Sequence, residues 1–235
     1  LAEQWIVDEA AISPLPDALS FAEGACWQSA ASTAWHALVA RGHLQPGETV
    51  LVLGASGGVG MAAVKMAKHI GATVFGVASN EEKLEAVHRA GADHLLDPSD
   101  KDLAAKVKAL TDGKGVDVVY DPVGGELAIT ATRAIAWNGR YLIVGFASGT
   151  IPSFPANHIM IKTYSVIGVR AGEGPRRDPE LAKRQTAALR ELAQKGVMRP
   201  HISHRFSLAD AAQALAVLER REAIGRVVVA METSS

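Results

Sequence analysis

The sequence predicts an α/β fold built on a doubly wound, six-stranded parallel sheet of the Rossmann type. Three observations predict it. Short apolar runs recur along the chain with helix-forming stretches between them. The runs are apolar at successive positions, the pattern of strands buried on both faces. The first strong run leads straight into a glycine-rich turn that opens a helix. Right-handed crossovers then put helices on both faces of the sheet.

The elements follow in order. Residues 2–7 read as a short strand, and Pro14 and Pro16 break the chain into a linker. Ser20 with Glu23 three residues on is a capping box for a helix over 21–41, with Gly42 at its C-terminal end. A turn at 45–48 leads to a strand over 49–53 and a helix over 58–70, ended by Gly71. Strands then fall at 73–77, 93–96, 116–120, 140–145 and 165–169. Helices are predicted at 81–90, 102–110, 126–136 and 155–162. Beyond residue 171 the alternation ends. A polar loop at 172–178 precedes a long helix over 179–195, a strand over 201–206, a helix capped by Ser207 and running to 221, and a strand over 225–231. This tail reads as part of a second unit packed with the N-terminal strand.

Composition narrows the function classes. The 235 residues are 48% hydrophobic and 21% charged, which argues against disorder and for a soluble globular protein. A net charge of −1 gives no basic field for nucleic acid or an anionic membrane. The one cysteine, Cys26, allows neither an intrachain disulfide nor a multi-cysteine zinc site, and a reducing, cytoplasmic setting is expected. No apolar run approaches the ~20 residues of a membrane span. The chain opens on Leu1 with neither a methionine nor a signal sequence, so it is expected to begin within a longer protein.

The chemistry-bearing motif is Gly54-Ala55-Ser56-Gly57-Gly58-Val59-Gly60. Gly54 permits the tight turn, Gly57 lets a pyrophosphate approach the backbone, and Gly60 lets the helix pack against the strand. The helix N-terminus offers free amides to phosphate. A Walker lysine is absent, which disfavours nucleotide triphosphate chemistry. The second strand ends in Ser79 and Asn80, where an NAD site would carry an acidic residue; with Lys83 one turn on, these favour NADPH. Ser79 also reads as a helix cap, with Glu82 completing the box. A methyltransferase would want the acidic residue. A short-chain dehydrogenase would want lysine four residues after a tyrosine, but Tyr120, Tyr141 and Tyr164 are each followed there by glycine.

Residues 44–60 resemble the medium-chain dehydrogenase/reductase superfamily. Residues 117–125, 157–168, 206–211 and 225–229 are similar to its zinc-independent, zeta-crystallin-like quinone oxidoreductase branch. The resemblance implies that residues 1–16 end a partial GroES-like catalytic domain, 17–171 form the dinucleotide-binding domain, and 172–235 return to the catalytic domain. It implies NADPH as cofactor and hydride transfer to a quinone or other activated alkene. Ser56, Gly57, Gly58, Val59 and Gly60 would hold the pyrophosphate, and Ser79, Asn80 and Lys83 the 2′-phosphate. Val144, Gly145, Phe146 and Ala147 would meet the nicotinamide ribose and carboxamide. Gly168, Val169 and Arg170 would close the nicotinamide pocket, which Thr33 would face unless it only packs its helix. Pro98 stands where relatives carry an adenine contact and cannot donate there.

Ser29 falls where zinc-dependent relatives carry cysteine, and Cys26 reads as a small buried residue, so no metal is expected. No residue stands out as a general acid. Asp121 is a turn-capping or pocket-shaping carboxylate. An enoyl-thioester reductase of the same superfamily and a non-catalytic NADPH-binding or structural protein are the alternatives. The sixth strand is expected at a sheet edge, pairing with its copy in a homodimer.

Overall fold

The computed structural model describes residues 1–9 and 12–231. Helix α1 (Phe21–Trp35) leads into a π-helical turn (His36–Arg41). The alternating unit then runs β1 (Thr49–Val52), α2 (Gly58–Ile70), β2 (Thr73–Val77), α3 (Glu81–Arg89), β3 (His94–Leu96), α4 (Leu103–Ala109), β4 (Val116–Asp121), α5 (Gly125–Ala134), β5 (Ile135–Ile143), α6 (Ala156–Lys162) and β6 (Ser165–Gly168). After it come α7 (Gly174–Arg177), α8 (Pro179–Gln194), β7 (Ile202–Ser207), α9 (Ala211–Glu219) and β8 (Arg226–Ala230).

The six strands β1–β6 form one parallel sheet in the order β3-β2-β1-β4-β5-β6. The order reverses between β1 and β4, and the crevice at the carboxyl ends of these two strands is where such a sheet takes a ligand. The continuous apolar runs have a direct cause. Val50 and Val52 pack with α1 and α2 on one face, while Leu51 and Leu53 pack with α4 and α5 on the other, all fully buried. Burial of a Val or Leu side chain contributes about 1.5–3 kcal/mol, so both faces of β1 hold the sheet together.

Several expectations are corrected. Residues 2–7 form no strand: they are exposed, and no neighbouring strand among the described residues offers them a ladder. The tail therefore pairs with itself, β7 lying parallel to β8 in a separate two-stranded sheet. Two residues of the predicted linker, 10 and 11, and the last four of the chain lie outside the described residues.

The first helix does not run as one α-helix to residue 41. The Gly42 amide reaches back five residues to the Ala37 carbonyl (2.7 Å), which makes the last turn π-helical. A Cβ on Gly42 would stand 2.8 Å from that carbonyl oxygen and 2.9 Å from Leu142 Cδ1, so this close turn needs glycine. Helix α5 ends at Ala134 and β5 starts at Ile135, not 140. The chain bulges at Asn138, whose φ is 58°, before the register resumes at Arg140. The polar loop at 172–178 contains the short helix α7. Ser207 does not cap α9 directly; Asp210 takes the N-cap position, and Ser207 Oγ donates to its carboxylate (2.7 Å).

Among the described residues no helix is long and apolar enough to cross a membrane.

Candidate dinucleotide-binding site

The site grows from the end of β1. Gly54 turns the chain with φ of 57°, and the Gly57 amide closes the turn on the Gly54 carbonyl (3.0 Å). Gly57 is the N-cap of α2 and offers no side-chain acceptor to the first amides of that helix. A Cβ on Gly60 would stand 2.3 Å from the Gly54 carbonyl oxygen and 2.8 Å from Ala55 Cα, both backbone atoms that cannot yield. Helix and turn are thus packed at a distance only glycine permits.

The C-terminal unit closes the other side. Gly225 bridges to Gly57, and its amide donates to the Ser56 carbonyl (2.7 Å). Arg226, the first residue of β8, lies against Gly58: a Cβ there would stand 2.3 Å from Arg226 Nε. Arg226 Nε and Nη2 are buried and have no hydrogen-bond partner among the described residues. Between turn and tail lies a cavity of about 440 Å³, lined by Gly54, Ser56, Gly57, Gly58, Lys83 and Ala147 on the sheet side and by Leu218, Arg221, Ala223, Gly225, Arg226 and Val227 on the tail side.

Of the sequence-predicted residues, the cavity gathers Ser56, Gly57, Gly58, Lys83 and Ala147. Gly60 supports it from beneath, and the Val59 carbonyl accepts a long hydrogen bond from the Tyr120 hydroxyl (3.4 Å). Ser79 and Asn80 follow the carboxyl end of β2 and are exposed. The cap of α3 is Asn80, whose Oδ1 accepts from the Lys83 amide (2.9 Å). This corrects the reading of Ser79 as the cap and leaves its hydroxyl free of that duty. Lys83 Nζ donates to the Arg221 carbonyl (2.6 Å), tying the start of α3 to the end of α9.

Val144, Gly145 and Phe146 follow the carboxyl end of β5, Gly168 ends β6 with Val169 and Arg170 after it, Thr33 lies on α1, and none of these lines the cavity. The amides of Val144 and Gly145 donate to the Asp121 carbonyl (2.8 and 3.2 Å), and that of Ala147 to Pro122 (3.0 Å), so the loop after β5 is stitched to the loop after β4. Phe146 is 41% exposed and projects its ring from that loop. Gly168 accepts from Arg41 Nε (3.3 Å), Val169 donates to the Ile143 carbonyl (2.9 Å), and the Arg170 carbonyl starts the turn into α7. Thr33 donates its hydroxyl to the Ser29 carbonyl one turn back (2.8 Å), the back-bonded geometry of a helix-packing threonine.

Asp121 ends β4 and anchors both loops. Its carboxylate accepts from the Val123 and Gly124 amides and the Tyr141 hydroxyl, all at 2.8 Å. Burial pushes its pKa up despite these three donors. It shapes the rim as a turn cap. Cys26 is half-buried, its thiol donates to the Ala22 carbonyl (3.3 Å), and burial pushes its pKa up, so it is held as a thiol. Among the described residues no group of three His, Cys, Asp or Glu side chains could hold a metal ion.

The tail contribution was missed from sequence. Neither Arg221, at the end of the predicted helix, nor Arg226, within the predicted strand over 225–231, is assigned a site role from sequence. The one available signal was Gly225-Arg226 ahead of three valines, a cation inside an otherwise buried pattern.

The profile of the zinc-binding dehydrogenase family matches residues 58–191. The chain belongs to this family, within the medium-chain dehydrogenase/reductase superfamily. It is similar to the quinone oxidoreductase-like protein 2 homolog of Nematostella vectensis, 37% identical over 97% of this chain, and spans 63% of that protein's length. Among solved structures it is similar to mycobacterial Rv1454c complexed with NADPH (30% identical, TM-score 0.85, covering 92% of this chain and 66% of that one). The CurK enoyl reductase is 27% identical with a TM-score of 0.82, covering 94% of this chain and 65% of that one. The sheet and its helices match the cofactor-binding part of such enzymes.

Proposed function

We propose that this chain carries the dinucleotide-binding domain of an NADPH-dependent, zinc-independent oxidoreductase that reduces a quinone or another activated alkene. The observation that carries the reading is the cavity between the glycine turn and the tail, with two orphaned guanidinium nitrogens of Arg226, Nε and Nη2, buried beside it. Buried guanidinium nitrogens without an acceptor are costly, and a phosphate ester supplies two oxygens that the planar Nε–Nη2 fork can grip in bidentate fashion. The residues therefore fit a dinucleotide. Ser56, Gly57, Gly58 and Arg226 would hold the pyrophosphate, and Ser79, Asn80 and Lys83 the 2′-phosphate. The loops at 144–147 and 168–170 would wall the nicotinamide, with Thr33 at the margin.

When bound, the nicotinamide supplies the hydride. The protein's own work is positional. The glycine turn and Arg226 fix the dinucleotide along the sheet edge, and Asp121 holds the two loops against each other. The exposed Phe146 ring shields the far end from water. Zinc independence is supported by Ser29 and by a thiol, Cys26, bonded within its own helix. The division into 1–16, 17–171 and 172–235 belongs to the same reading. So does a homodimer through β6, which lies at the sheet edge with Val166 and Ile167 half-buried.

Turnover tests this directly. Oxidation of NADPH by a small quinone, with little by a crotonyl thioester, is the expected result. The enoyl-thioester reductase is the second reading, favoured by the likeness to the CurK enzyme; the reverse preference would establish it. Binding without turnover of either would leave a cofactor-binding protein.

A further inference from the structure

We propose that the cavity between α4, α5 and α6 is a second binding site, which takes a small phosphate-bearing anion. The cavity holds about 330 Å³ and is lined by Lys108, Thr132, Arg133, His158, Ile161 and Lys162. It shares no residue with the dinucleotide cavity. Its place follows from the topology. Lys108 lies in the last turn of α4, Arg133 in the last turn of α5 and Lys162 in the last turn of α6. Ile135 opens β5, and Ser165, shortly after Lys162, opens β6. These helix ends therefore stand at the amino edge of the sheet, whereas the dinucleotide crevice is at the carboxyl ends of the strands.

Three cations face this cavity without a counter-ion. No carboxylate lines it. No ion pair among the described residues includes Lys108, Arg133 or Lys162. Lys162 is half-buried, and its Nζ donates to the carbonyls of Arg133 (3.0 Å) and Ile135 (2.7 Å). One of its three ammonium protons is left over. Burial first, and the charge of Lys108 second, hold its pKa below the ordinary lysine value. The charge that reaches Lys162 is thus a like charge from the neighbouring helix. Helix C-termini favour cations, but it is Lys162 that bonds the carbonyls at the end of α5. The side chains of Lys108 and Arg133 make no hydrogen bond among the described residues. Thr132 is buried and gives its hydroxyl proton to the Ile129 carbonyl (2.7 Å), so the free donors are the cations and His158. A phosphate monoester answers this set. It carries close to two negative charges near neutral pH. Its oxygens accept the Arg133 fork in bidentate fashion and the two lysines as point charges. The volume exceeds a bare ion and falls at the lower end of ligand pockets, about 300 Å³. Ile161 offers an apolar wall to a short carbon chain.

Titration of the isotope-labelled protein with inorganic phosphate, glycerol phosphate, malonate and chloride at physiological ionic strength, read by amide chemical shifts, tests the site. For both phosphates the shifts at residues 132–135 and 158–163 are expected to saturate with a Kd below about 1 mM, and Tm should rise. Arg133→Met and Lys108→Met should each weaken both phosphates about tenfold. Arg133→Lys should keep part of the affinity. Lys106→Met, on the same helix as Lys108 but paired with Asp100, should change nothing. Arg226→Met should leave the shifts at this cavity unchanged, because any phosphate held at the glycine turn is read at other residues. Tighter binding of glycerol phosphate assigns the site to an ester, and equal affinity assigns it to the phosphate group alone; both support the proposal. Thermal unfolding identifies a variant that fails to fold, and the exposed Arg133 carries the test if Lys108→Met does. Shifts that stay unsaturated at about 10 mM, or that malonate or chloride reproduces, overturn the site. Phosphate affinity unchanged in Arg133→Met and Lys108→Met also overturns it; a lower Tm in the same variants would then show that these cations serve the helix ends.

Discussion

Replacing Arg226 by methionine should move stability and ligand affinity in opposite directions. In the free protein Nε and Nη2 of Arg226 are buried with no acceptor. A buried unsatisfied donor costs about 1–3 kcal/mol, and more when it carries charge. Methionine keeps an unbranched chain against Gly58 and removes both donors. The variant should therefore unfold about 1–3 kcal/mol less readily, which for a chain of this size raises Tm by roughly 2–4 °C per kcal/mol. The same change removes a charge-assisted contact to phosphate worth about 1.5–3 kcal/mol, so NADPH and NADH should both bind roughly 10- to 150-fold more weakly. Thermal unfolding without ligand and calorimetric titration with both cofactors measure the two effects. A lower Tm with unchanged affinity would refute the reasoning, because Arg226 would then serve the fold. Losses in both would show a support for the turn, not an unanswered cation awaiting phosphate.

Gly60→Val puts a branched side chain where even a Cβ would lie 2.3 Å from a backbone oxygen. It should destabilise the protein by about 1–3 kcal/mol or more in urea unfolding and abolish cofactor binding in any molecules that fold. Asp121 predicts a pH dependence with a definite sign. Burial raises its folded pKa above the unfolded value. Its contribution is therefore greatest below the unfolded pKa and falls as pH rises through the folded one. Asp121→Asn, which keeps the acceptor for the Val123 and Gly124 amides, should flatten that part of the stability–pH curve. Glu23 has the opposite sign: Arg199 first, with Ser20, holds its pKa at about 2. Its contribution is present above the unfolded value and is lost as pH falls toward 2, so Glu23→Gln should flatten the acid limb of the same curve. Val166→Pro removes an amide that faces away from β5, on the open edge of β6, and should abolish the proposed homodimer by light scattering while leaving the β5–β6 ladder intact.

The parallel sheet was legible because its cause is local. Val50, Leu51, Val52 and Leu53 must all be apolar when both faces are covered, and that appears in the sequence as an unbroken run. The glycine turn was legible for a similar reason, since Gly54 needs positive φ and Gly60 needs to lack a Cβ. What escaped depends on partners distant in sequence. Residues 2–7 have strand composition, yet a strand exists only with a neighbour to pair with. Ser79 and Asn80 are both good caps, and only the fold decides that Asn80 takes the Lys83 amide. The π-turn at 36–41 differs from an α-turn by one residue in a hydrogen-bond register, which composition does not encode. Arg226 and Arg221 reach the glycine turn across more than 160 residues, and nothing near them in sequence points back to it.

The most direct measurement of the central claim is a titration of this protein with NADPH and, separately, with NADH, followed by chemical-shift or hydrogen-exchange mapping of the bound state. The account predicts tight NADPH binding, weaker NADH binding, and protection concentrated at residues 54–60, Lys83, Arg221 and Arg226. Absence of binding to either, or protection elsewhere with these residues unchanged, would contradict it.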